Sequence, residues 1–170
     1  SLREGRGGVG PVTLFDASGF QTRIAAELKG FDLSRDLGSS AHRWEKYSRN
    51  TRIALSAARQ AIEQSGLPDW EKLDQGRFGT YLGTGEGQQD FPRFVGLVNR
   101  SADEGRVDTR RFVRDGVREL DRLQEAEQEP GTPAAHLAVA FGARGPNVSC
   151  LTACAASAQA IGEAAELIRE

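Results

Sequence analysis

The stretch that most restricts the fold of this chain runs from Gly145 to Ile168. Gly145-Pro146 makes a turn, Asn147 to Thr152 has a short strand signature, and Ala155 to Ile168 has helical spacing. On that helix Ala158, Ile161, Ala165 and Ile168 are expected to face inward. Between strand and helix stand Thr152-Ala153-Cys154-Ala155-Ala156-Ser157, whose small side chains let the backbone turn sharply. A strand, a tight turn and a helix in that order point to helices layered on a sheet, so the expected class is α/β rather than a bundle.

The remaining sequence fits that class. From about Lys46 to Ser65, Tyr47, Ile53, Leu55, Ala58 and Ile62 recur at helical spacing, and Gly66 follows as a C-terminal stop. Phe78 to Leu82 reads as a second strand that enters the glycine turn Gly83-Thr84-Gly85-Glu86-Gly87. Helices are expected near Pro92 to Asn99, Thr109 to Leu120 and Pro133 to Phe141, the last with Gly142 at its stop. The charged run Asp121 to Gly131 reads as a surface connection. The first forty residues read as a loop with one short helix, which Asp16 or Ser18 would cap near Phe15 to Phe20.

Cys154 stands where a helix begins, and a helix N-terminus favours the thiolate, the form in which a thiol attacks. Its small neighbours would let a thioester carbonyl approach, and its own amide is a candidate donor to the developing oxyanion. The logic is that of a nucleophile elbow, although the spacing is not Gly-x-Ser-x-Gly. A free cysteine packed among small residues fits the same pattern, so the residues alone leave both readings open. A backbone in a sparsely populated region is expected at Cys154 itself. Cys150, two alternations earlier on the strand, reads as a core residue.

The two cysteines and the widely separated His42 and His136 have no metal-ligand spacing, and both histidines read as packing or surface residues. Gly83-x-Gly85-x-Gly87 brings its third glycine too soon for a dinucleotide fingerprint. Lys plus Arg number 22 against 24 Asp plus Glu, with the signs interspersed, which speaks against nucleic acid or a membrane surface as partner. Arg110, Arg114 and Arg118 share one helical face, and Arg43, Lys46, Arg49 and Arg52 form a second basic cluster. Either suits an acidic partner or an ordinary solvated surface. No run of eighteen apolar residues occurs, and the expected setting is cytoplasmic.

The run from Gly145 to Ser157, continuing into Ala160-Ile161-Gly162-Glu163-Ala164, resembles the active-site cysteine segment of the β-ketoacyl-acyl carrier protein synthases. Phe15 to Phe20 with Arg23 to Glu27, Tyr47-Ser48-Arg49, Gly83-Thr84-Gly85 and Ala134 to Ala138 follow in family order. The resemblance implies a thiolase-like layered fold of which residues 1–170 are the N-terminal half only, a partial ketosynthase domain without its first strand and C-terminal half. It implies Cys154 as the residue that accepts the acyl chain. The two catalytic histidines and a second oxyanion amide would come from outside these residues, and His136 matches a non-catalytic position.

The implied reaction is decarboxylative condensation with malonyl-acyl carrier protein in fatty-acid or polyketide synthesis. Its implied partners are the acyl carrier protein and a second subunit, as homodimer or heterodimer, and it requires no cofactor or metal. A ketosynthase-like acyltransferase or thiolase relative and an accessory chain-length subunit are the alternatives.

Overall fold

The structure, a computed structural model, describes residues 4–66, 72–87 and 90–170. Ser1 to Arg3 of the turn-rich opening lie outside the described residues. The chain divides into two compact units, Ser1–Asp32 and Leu33–Glu170.

In the first unit β1 (Val9–Pro11) pairs antiparallel with β2 (Ile24–Ala26), with Gly10 opposite Ala25. This hairpin replaces the expected loop. No helix forms over Phe15 to Phe20. Asp16 Oδ1 instead accepts the Ser18 N–H at 2.9 Å, and the Phe20 amide returns to Ala17 O at 3.0 Å. The Asp side chain here closes a turn rather than capping a helix, a competition inherent to that residue.

The second unit opens with the single-turn α1 (Ser34–Leu37) and a 3-10 segment, Gly38–Trp44, and continues into α2 (Arg49–Gln64). Ser48 caps α2 by accepting the Thr51 N–H at 3.2 Å, and Gly66, at φ +70°, ends it. A 3-10 turn, Gln75–Arg77, leads into β3 (Thr80–Gly83), and α3 (Phe91–Ser101) follows. A minimal hairpin of β4 (Ala102–Asp103) and β5 (Arg106–Val107) connects α3 to α4 (Thr109–Glu119).

The expected surface connection after α4 holds a short helix, α5 (Arg122–Ala126), and then a buried carboxylate, Glu127, 2% exposed. α6 (Thr132–Phe141) stops at Gly142, which is left-handed at φ +68°. Next come β6 (Asn147–Cys150), a 3-10 turn Ala153–Ala155, and α7 (Ala156–Arg169).

β3 and β6 are parallel, with Thr80 opposite Asn147 and Gly83 opposite Cys150. A parallel pair cannot be joined by a tight turn, and α3 to α6 supply the crossover. Both α6 and α7 pack on this pair, and α2 packs on α6. Leu55, Leu97, Ala134, Leu137 and Phe141 form the apolar interior with Cys150, Ala156 and Ala160.

Two expectations change here. The strand expected over Asn147 to Thr152 ends at Cys150, and β3 is its one strand partner among the described residues. On α7 the stripe turned to the protein is Ala156, Ala160 and half-buried Ala164, whereas Ile161 is 71% and Ile168 85% exposed. Backbone contact at Gly83 explains the reversal. A helix that lies so close to a strand presents its smallest side chains, at i, i+4 and i+8, and its isoleucines turn outward.

Candidate active site

Cys154 sits in the 3-10 turn between β6 and α7 and is exposed, as are Thr152, Ala153 and Ala155 around it. The turn is closed by the Ala155 amide on Thr152 O at 3.1 Å and by the Ala156 amide on Ala153 O. The Cys154 amide takes part in neither bond. Positive φ falls on Ala153, at +48°, not on Cys154 as the sequence suggested. A β-carbon in the left-handed region costs about 1 kcal/mol or more. The strain is therefore stored one residue before the thiol, where the chain leaves its extended path, and Cys154 itself belongs to a helical turn.

Cys150 is the opposite kind of thiol. It is 4% exposed, and its Sγ donates to Glu163 Oε2 at 3.7 Å. Burial pushes its pKa up and the neighbouring Glu163 charge pushes it further, so this sulfur is held protonated. Alkylation by iodoacetamide at neutral pH is therefore expected to give one adduct per folded chain, on Cys154, at least about tenfold faster than any on Cys150. Peptide mapping of the alkylated protein checks this; equal labelling of both would contradict it.

The glycine turn reaches this site by backbone contact. Thr84 N–H donates to Cys150 O at 2.9 Å, extending the β3–β6 pairing by one bond. A β-carbon on Gly83 would lie 2.3 Å from the Ser157 nitrogen, and one on Gly87 would lie 2.1 Å from Gln128 Cα. These glycines allow main chains to touch, which is why the spacing fits no phosphate cradle. Gly83→Ala is expected to push α7 from β3 and destabilise the protein by at least about 2 kcal/mol. A denaturation midpoint equal to that of the unsubstituted protein would contradict this.

The residues between α5 and α6 build a feature that the sequence reading did not find. Glu127 Oε2 accepts the Ser48 N–H at 3.0 Å and the Thr51 hydroxyl at 2.7 Å, and its Oε1 lies 2.7 Å from His136 Nε2. Tyr47 and Trp44 stack edge-on against the His136 ring at 4.4 and 5.5 Å. His136 is thus committed to a buried carboxylate and packed between aromatic rings. Ser-x-x-Thr at a helix start was the only local hint, since a cap there needs an acceptor for its own amide. His42 is exposed, with Nδ1 against Ser39 O.

A cavity of about 270 Å³ adjoins the glycine turn, lined by Ile53, Ala57, Leu82, Thr84, Glu127 and Pro133 among others; Cys154 is not in its wall. The two basic clusters also remain apart from the thiol in sequence. On α4, Asp115 pairs with Arg114 at 2.8 Å and with Arg111 at 3.9 Å, which dilutes that face. Among the described residues no three His, Cys, Asp or Glu side chains gather as a metal site, and no helix is long and apolar enough to cross a membrane.

The family model for the β-ketoacyl synthase N-terminal domain matches residues 1–170. The 3-oxoacyl-[acyl-carrier-protein] synthase 2 of Coxiella burnetii is 30% identical over 168 residues, which cover 99% of this chain and 37% of that protein. A β-ketoacyl synthase crystal structure from Burkholderia phymatum superposes with a TM-score of 0.71 at 25% identity, over 99% of this chain and 38% of that one. A type II polyketide ketosynthase, in complex with its acyl-carrier protein, shares the fold at a TM-score of 0.64 and 23% identity, over 84% and 36% of the two chains. The chain spans just over a third of the length of these relatives. The thiolase-like fold read from the cysteine segment is therefore the observed one. Matched from its first residue to its last, the chain belongs to the β-ketoacyl synthase family as an N-terminal domain.

Proposed function

We propose that the protein carrying this chain is a condensing acyltransferase, with Cys154 as its nucleophile. The observation that carries the reading is the exposed thiol on a strained turn between a parallel strand and a helix, in a chain of this family. In the first step the Cys154 thiolate attacks the carbonyl of an acyl thioester. A new carbon–sulfur bond forms at Sγ, and the carrier thiol leaves as it takes up a proton. The Cys154 amide, unused by the turn, is the candidate donor to the tetrahedral oxyanion. In the second step a malonyl thioester loses CO2, and its carbanion attacks the acyl carbonyl. A carbon–carbon bond forms and Sγ departs as thiolate. Covalent catalysis thereby divides one difficult condensation into two steps.

Residues 1–170 would form the nucleophile-bearing part, and the family resemblance assigns the two histidines of the second step to chain outside it. Relatives nearly three times as long fit that division. So does the exposed face of α7, where Ile161 and Ile168 would pack against a second layer. The acyl carrier protein as donor is supported by the name of the Coxiella relative. A dimer and a cytoplasmic setting belong to the same reading. The test is to incubate the full-length protein with acyl- and malonyl-carrier protein and follow both CO2 and the β-ketoacyl product. Acyl loading without CO2 release would favour the non-condensing acyltransferase, and no loading the accessory subunit.

A further inference from the structure

Gly83 and Thr84 hold the bend that carries Cys154 at both of its ends. At the first end Gly83, the last residue of β3, stands in register with Cys150, and the Thr84 N–H donates to Cys150 O at 2.9 Å. The chain then leaves the strand, passes Ala153 at φ +48° and Cys154, and returns to the same glycine. There the Ser157 nitrogen, the Ser157 Cα and the Ala156 carbonyl carbon, all in the first turn of α7, lie 2.3, 2.4 and 2.5 Å from where a Gly83 β-carbon would stand. All three atoms are main chain, so no change of rotamer makes room.

Ordinary van der Waals contact begins at 3.4 Å, and a side chain on Gly83 therefore requires β3 and the start of α7 to part by about 1 Å. β3 cannot yield alone, because main-chain bonds tie Thr80 to Pro146 and Thr84 to Cys150 on the neighbouring strand. Parting them changes the span from Cys150 to Ser157, and the turn between these two residues must re-form with its thiol and amide in another place. Attack on a carbonyl tolerates little of that, since a misplacement of about 1 Å costs on the order of 100-fold in rate.

We propose that Gly83 is a positioning residue for acyl transfer: its lack of a side chain sets where the Cys154 sulfur and amide stand relative to the incoming thioester carbonyl. The inference rests on Cys154 being the acylated residue.

Single-turnover acylation of the full-length protein, over a range of concentrations of acyl carrier protein bearing a labelled acyl thioester, tests it. Gly83→Ala is expected to lower the maximal rate about 100-fold. The half-saturating concentration should stay unchanged, because a contact between β3 and α7 orients the thiol and does not hold the carrier. Gly87→Ala is the control. Its β-carbon would fall 2.1 Å from Gln128 Cα, an equally severe clash in the same glycine turn but away from α7, so it should lower stability and leave the acylation rate of the folded protein unchanged. Ala156→Ser adds one atom to a side chain 2% exposed in the first turn of α7 and should slow acylation about tenfold. It decides the matter if circular dichroism shows Gly83→Ala to be unfolded. An unchanged maximal rate in a folded Gly83 variant or, where that variant is unfolded, in Ala156→Ser would overturn the inference, as would an equal loss of rate in a folded Gly87 variant. Failure of the unsubstituted protein to take up acyl would instead overturn the reading of Cys154, and this inference with it.

Discussion

Cys154→Ala in the full-length protein is expected to abolish acyl loading and to lower condensation on the order of 10³-fold or more, because the nucleophile has no substitute. The fold should be unaffected. Cys154 is exposed, and alanine already stands on either side of it, so the unfolding free energy should change by no more than a surface substitution allows, about 0.5 kcal/mol. Cys150→Ala should show the reverse pattern. Loading should persist, while loss of a buried sulfur costs about 1 kcal/mol of stability. The contrast between the two variants separates chemistry from packing. Retained condensation in the Cys154 variant would remove the basis of the proposed mechanism.

The second large effect is expected at Glu127. Its carboxylate gathers donors from the cap of α2 and from α6, and Glu127→Ala leaves the buried Ser48 amide and Thr51 hydroxyl, and the half-buried His136, without this acceptor. Breaking one side of such a network costs about 3–5 kcal/mol. Glu127→Gln preserves shape and one acceptor oxygen, and should cost less, about 1–3 kcal/mol. Burial raises the pKa of this carboxyl, but the Ser48 and Thr51 hydroxyls, the Ser48 amide and His136 outweigh it and hold the value below the ordinary carboxylate range. The sign follows from linkage. A depressed folded-state pKa gives stability that is present above the unfolded-state value and is lost as pH falls through the folded-state one. Urea unfolding over that acid range should therefore show a slope that the Gln variant lacks. Equal midpoints for Glu127→Ala and the unsubstituted protein would contradict this account.

Where local chemistry determines structure, the sequence was readable. α2 and α6 are legible because apolar spacing and a glycine stop mark each of them locally. The cysteine turn was visible because only small residues permit it. What could not be read depends on partners far along the chain. β1 and β2 are three residues each, one containing Gly10 and Pro11, and their pairing appears only in register across the hairpin. Glu127 reads as one more surface charge in an acidic run, since Ser48 and Thr51 lie 79 and 76 residues away. Of the α7 residues expected inward, Ala165 is half-buried while Ala158, Ile161 and Ile168 are exposed, because helical spacing reveals stripes but not which stripe meets β3; the contact at Gly83 decides that. The strain at Ala153 had no marker, as alanine carries none of the Gly or Asn signal that announces a positive φ.

The most direct test of the central claim is to locate the acyl group itself. The full-length protein would be incubated with acyl carrier protein bearing a labelled acyl thioester, and the intact mass and the peptide carrying the adduct would be determined. One acyl group per chain, on the peptide containing Cys154 and absent from Cys154→Ala, is the predicted result. An adduct on Cys150 or on another residue, or one that persists in the Cys154 variant, would contradict the assignment.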